Sequence, residues 1–156
     1  VKKGGSRTEF NDIRGGLAIT DMEEFEKVVK GRISDTLFQH QMLEVEYFLC
    51  GEYVAKLLIA TIQNPPASWY AVDYLLQAQQ KQDYTSWQKA ADLCFLICSI
   101  FEQRSEFRMM SYKDYVNLGR VFYSTFSDKS KKEIGWMMRD HYQEMVEVTK
   151  VSFLPS

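Results

Sequence analysis

The segment Ala90-Ala91-Asp92-Leu93-Cys94-Phe95-Leu96-Ile97-Cys98-Ser99-Ile100-Phe101 carries apolar residues on every side of a helix, not along one stripe. A helix of that kind must be covered all round. It is also well short of the roughly 20 residues that cross a bilayer. The chain must therefore supply further helices to pack around it. No stretch shows sustained apolar–polar alternation between turn residues, so no strands are expected. The expected fold is all-α, a single domain over residues 20–156, with about six helices around a central helix at residues 85–104. A chain of 156 residues can bury about 68–70% of its unfolded surface, so no disulfide or metal staple is needed.

Capping signals divide the chain. Thr20 and Glu23 have capping-box spacing and predict a first helix with Met22, Phe25, Val28 and Val29 on its face, ended by Gly31. Ser34 or Asp35 predicts the cap of a long helix reaching Gln63. Phe38, Met42, Val45 and Leu49 fall on one face of it, continued by Val54, Leu57, Leu58 and Ile62. Gly51 within that helix predicts a bend or a close neighbour. Asn64-Pro65-Pro66 stops the helix, and a shorter one follows to Lys81. Asp83 or Thr85 caps the central helix. Ser111 and Asp114 open the next, where Gly119 predicts close approach of another helix. The last runs from Asp128 or Ser130 to Lys150, with Met137, Met138, His141, Tyr142 and Met145 at helical spacing. Residues 1–19 hold four of the eight glycines and few apolar side chains, which predicts a flexible arm.

Acids and bases are well mixed, with a net charge of −2. That argues against general affinity for nucleic acid, which needs a dominant positive face. The run Lys129, Lys131, Lys132 with Arg139 is a modest local patch, read either as a weak nucleic-acid contact or as a solvated helix start. The three cysteines, Cys50, Cys94 and Cys98, are odd in number and sit among apolar neighbours, which fits a reducing compartment. No leader sequence and no membrane-spanning run is visible, so the expected location is cytoplasmic.

Several chemistries fail on residue type. Nucleophilic catalysis needs a nucleophile, a base and an orienting group, and the only two histidines, His40 and His141, have no nucleophile motif beside them. Cys94 and Cys98 lie in the apolar helix, where a thiolate is disfavoured. Zinc would need a fourth ligand beyond the cysteines. The helical di-iron signature needs a glutamate three residues before a histidine, and Leu37 and Met138 stand there instead. No phosphate-binding glycine loop occurs. No cofactor or metal is expected.

What remains is Asp92, an acid inside the apolar run. Buried, it would need a partner or a shifted pKa. It reads either as a ligand-binding or catalytic acid, with Tyr115, Tyr123 or His141 nearby, or as an anchor accepting hydrogen bonds. His141 reads as a ligand contact or a satisfied core histidine, and Met109, Met110, Met137, Met138 and Met145 as an adaptable groove or as core.

Ala91-Asp92-Leu93, Ile100-Phe101-Glu102, Asp114-Tyr115, Gly119 and Tyr123 together resemble a set of uncharacterised bacterial helical proteins. In that set a glycine–aspartate pair opens an apolar helix and an aspartate–tyrosine–tyrosine helix carries a methionine–glycine pair. Ala91, Val116 and Leu118 depart from the pattern. The resemblance implies a bacterial, cytoplasmic helical protein and assigns no catalytic residue. The expected function, reached by elimination, is a non-enzymatic protein-interaction or ligand-binding module. Its expected partner is protein, self or other. The alternatives are a small-ligand sensor or enzyme built around a buried Asp92, and a weak nucleic-acid binder.

Overall fold

A computed structural model describes residues 22–102 and 109–155. The expected arm at 1–19, the cap at Thr20 and the helix end at Arg104 lie outside them. Among the described residues there are seven α-helices and no strand: α1 Met22–Gln39, α2 Val45–Gln63, α3 Ala71–Lys81, α4 Tyr84–Cys98, α5 Tyr112–Ser130, α6 Ile134–Asp140 and α7 Tyr142–Phe153. The all-α class expected from the sequence is the class observed. The chain divides into two compact units, residues 22–66 with 148–155, and residues 67–147.

In the first unit α1 and α2 form an antiparallel hairpin. Gly51 sits against Ile33 and Leu37, Lys30 pairs with Glu52 at 3.7 Å, and Phe38 meets Phe48. Gly51 thus admits a close neighbour, as its position in the apolar face predicts. The helix ends differ from those expected. Gly31 does not end α1, and Ser34 does not begin a helix that runs unbroken to Gln63; the break falls at residues 40–44. The reason is local. Gln41 adopts a left-handed conformation, φ 57°, its N–H donates to the Phe38 carbonyl, and the Met42 N–H donates to that of Leu37. This double closure is the Schellman arrangement, here built without glycine. The end of α7 joins the unit through Ser152, whose hydroxyl is 2.7 Å from that of Thr36.

Gly31 therefore lies inside a helix, and a Cβ there would meet nothing within 4 Å. Gly31→Ala is expected to stabilise the protein by about 0.5–1 kcal/mol, since glycine loses the most backbone freedom on entering a helix. Urea denaturation of the two proteins checks the sign.

In the second unit α4 packs against α3 and α5. Its buried residues, Ser86, Ala90, Ala91 and Leu93 through Cys98, occupy all faces. Asp83 caps it, accepting from the Ser86 N–H at 2.9 Å. The Ser86 hydroxyl, together with that backbone N–H, holds the Asp83 carboxyl below its ordinary pKa. The cap's contribution is thus present above the ordinary carboxylate range and is lost as pH falls through the lowered value. The helix ends at Cys98 rather than at Arg104. The Ser99 hydroxyl donates to the Phe95 carbonyl, and the Phe101 N–H reaches back to Leu96. Ile100 and Phe101 stay buried in the turn that follows, where Phe101 meets the edge of Trp69 at 4.7 Å.

Ser111 caps α5, accepting from the Asp114 N–H. The final helix expected from Asp128 to Lys150 is instead the end of α5, then α6 and α7. Lys131 terminates α5 in a left-handed conformation, and His141 separates α6 from α7. Two glycines on this side mark close approaches. The Tyr142 ring lies on Gly119, and Gly135 lies on Ser127, Phe126 and the Tyr123 carbonyl. The close approach expected at Gly119 is therefore present. Glu133, at the start of α6, makes no side-chain capping bond; the hydroxyl of Ser127, on α5, accepts the Trp136 N–H at 3.0 Å and donates to the Lys132 carbonyl.

Candidate interaction surface

The residues singled out by the sequence separate into distinct environments. Asp92, on α4, accepts a 2.7 Å hydrogen bond from the Tyr123 hydroxyl of α5. This is the kind of contact the anchor alternative requires. Asp92 is half-buried rather than buried, because its position on α4 faces the margin between the two helices. Tyr115 is buried, and its hydroxyl accepts from the Met109 N–H at 2.8 Å. His141 is half-buried, with Nδ1 3.0 Å from the Glu144 carboxylate. Of the four, hydrogen bonding joins Asp92 and Tyr123.

A residue the sequence placed only in an apolar stripe, Tyr142, fills the second unit's centre. Its ring stands edge-on to Phe95 at 5.5 Å and tilted to Tyr123 at 6.1 Å. Its hydroxyl is buried against the weakly bonding Cys98 thiol and has no nitrogen or oxygen partner among the described residues. Burial, with the Cys98 and Cys94 thiols beside it, pushes its pKa well up. Burial likewise raises the Cys94 thiol, with Cys98 and Asp92 adding to the effect. Tyr112 is pushed up to about 12, chiefly by burial, with Cys98, Glu147 and Glu102 contributing. Burial thus favours the protonated form of Tyr142, Cys94 and Tyr112 and works against their use as thiolate or phenolate nucleophiles. Among the described residues no three His, Cys, Asp or Glu side chains group as a metal ion would need.

The basic patch is partly committed within the fold. Lys132 lies over the Tyr84 ring at 5.1 Å. Arg139 pairs with Asp140 at 2.9 Å and donates to the Ser124 hydroxyl. The open cleft it shares with Arg120, Val121 and Thr125 is wide and shallow.

The feature that stands out is the corner between α1 and α2. Phe38 is 61% exposed, Leu43 58%, Val45 68% and Leu49 44%. Phe38 closes α1, Leu43 lies in the turn, and Val45 and Leu49 are four apart on one face of α2. The tilted Phe38–Phe48 pair, with centroids 5.3 Å apart, backs the patch. Beside it runs a groove of about 170 Å³ between the helices, lined by Ile33, Leu37, Phe48 and Gly51, with Lys30 and Glu52 in its wall. Scattered exposed apolar residues are ordinary, but several at one corner make it the candidate contact surface among the described residues. The sequence placed Phe38, Met42, Val45 and Leu49 on one face of a continuous helix, a pattern that also fits a core stripe. The polar run Gln39-His40-Gln41 within it was the available sign of a break.

No helix among the described residues is long and apolar enough to cross a membrane. Compared with protein-family models, with curated protein sequences and with solved structures, the chain matches none.

Proposed function

We propose that this chain is a non-enzymatic interaction module and that the α1–α2 corner is its contact surface. The observation behind this reading is the exposure of four large apolar side chains, Phe38, Leu43, Val45 and Leu49, at one turn. Free energy favours covering them: each large apolar side chain moved from water contributes about 1.5–3 kcal/mol if fully buried. The three cysteines are free, which suits a reducing compartment. With the likeness at residues 90–123, that leads us to place the module in the bacterial cytoplasm.

The test is selection of a displayed random-peptide library on the purified protein, followed by amide chemical-shift mapping. Enriched peptides are expected to shift residues 38–49 and to lose binding to Phe38→Ser/Leu43→Ser. Those side chains are mostly exposed, so the double variant keeps its fold. Peptides that map elsewhere, or that bind the double variant equally well, would refute the proposal.

A further inference from the structure

We infer that the α1–α2 corner takes a basic, amphipathic helical segment of another protein, a reading that rests on the corner being the contact surface. The charges around it carry the inference. From Ile33 to Ala55 the chain holds four acids, Asp35, Glu44, Glu46 and Glu52, and no lysine or arginine. All four acids are exposed. Asp35 lies one turn before Phe38 on α1, Glu44 lies between Leu43 and Val45, and Glu46 lies one turn before Leu49 on α2. Residues three or four apart on a helix are surface neighbours, so carboxylates rim the apolar cluster from both helices. Of the bases closest along the chain, Arg32 and Lys56 stand more than a turn from it, and Lys30 lies in the wall of the groove beside it. Lys30 and Lys56 both pair with Glu52, at 3.7 and 3.4 Å.

An apolar centre with an acidic rim selects its occupant by charge. A helix with a leucine-type face and flanking lysines or arginines fills the first and complements the second. A second copy of this chain would set one acidic rim against another. An anionic membrane surface would be repelled in the same way. The groove beside Phe48 and Leu37 supplies a concave lining for one anchoring side chain of the incoming helix.

The experiment uses two designed peptides of identical leucine pattern, one with lysine and one with glutamate at every polar position. Binding is followed by fluorescence anisotropy against the full chain. The lysine peptide is expected to bind at least about tenfold more tightly than the glutamate peptide, with the gap shrinking as salt rises. Glu44→Lys/Glu46→Lys is expected to reverse the preference, and Phe38→Ser/Leu43→Ser to abolish binding of either peptide. Equal binding of both peptides, lost in the Phe38→Ser/Leu43→Ser variant, overturns the partner class while leaving the contact surface standing. Binding unaffected by that variant overturns both. Binding of neither peptide overturns the partner class. If the protein then instead dimerises, or binds phosphatidylcholine vesicles, through Phe38 and Leu43, the occupant is a second copy or a lipid surface.

Discussion

Gly135→Ala is expected to destabilise the protein by about 3 kcal/mol, the upper end of the usual cost of forcing an atom into a packed site. A Cβ at this position would overlap the Ser127 hydroxyl oxygen and stand 2.5 Å from the Tyr123 carbonyl oxygen and 2.8 Å from Phe126 Cδ2. The carbonyl decides the size of the effect. A side chain can turn away, but the Tyr123 carbonyl belongs to the backbone of α5 and moves only with the helix. Alanine's better helix propensity, worth about 1 kcal/mol, does not offset this. Chemical denaturation of both proteins checks the result, and Ser127→Gly should not rescue the variant because the carbonyl contact survives. The same substitution thus has opposite signs at Gly31 and Gly135. A neutral Gly135→Ala would mean that α6 does not lie on α5 as described.

Gly119→Ala is expected to cost about 2–3 kcal/mol, again by overpacking. Its Cβ would overlap the Tyr142 hydroxyl and lie 2.6 Å from Cζ and 2.7 Å from Cε2. The ring is buried, with Phe95 and Tyr123 packed against it, so it cannot turn aside without disturbing them. Tyr142→Phe separates the contributions. Removing a buried hydroxyl whose one neighbour of this kind is the weakly bonding Cys98 thiol should be neutral or mildly stabilising, because the cost of its lost hydration disappears with it. It should not rescue Gly119→Ala, since the ring carbons alone remain too close. A double-mutant cycle in urea measures both expectations. Strong destabilisation by Tyr142→Phe would show that the hydroxyl has a partner in solution.

Some signals carried by adjacent residues were legible in the sequence. Ser111 caps the helix it was expected to cap, and of Asp83 and Thr85 it is Asp83 that caps α4, because capping is settled within three residues; Ser34 and Asp128, equally suitable by residue type, instead lie inside helices. Gly51 and Gly119, glycines set within apolar faces, mark close neighbours. Signals that depend on a less favoured backbone choice were not legible. The end of α1 rests on Gln41 adopting a conformation that glycine normally provides. Missing that turn joined Phe38 to Leu49 in one helical stripe. Periodicity reports which side chains share a face; it does not report whether that face is covered. The same limit applies to Asp92: the sequence marks the acid as out of place, while its exposure and its Tyr123 partner depend on where α5 lies.

Ser127 has a consequence for the order in which structure forms. A helix as short as α6 is unstable alone in water, because nucleation costs more than a few turns return. One of its first N–H groups is satisfied by a hydroxyl from α5, and the carbonyl of Lys132 accepts a hydrogen bond from that same hydroxyl. The instruction for where α6 begins is therefore written partly in a different helix, nine residues upstream of Trp136. The segment after Lys131 gains its helical state only once α5 is in place to receive it. In hydrogen exchange, the amides of α6 then open with α5 or before it and have no protection of their own.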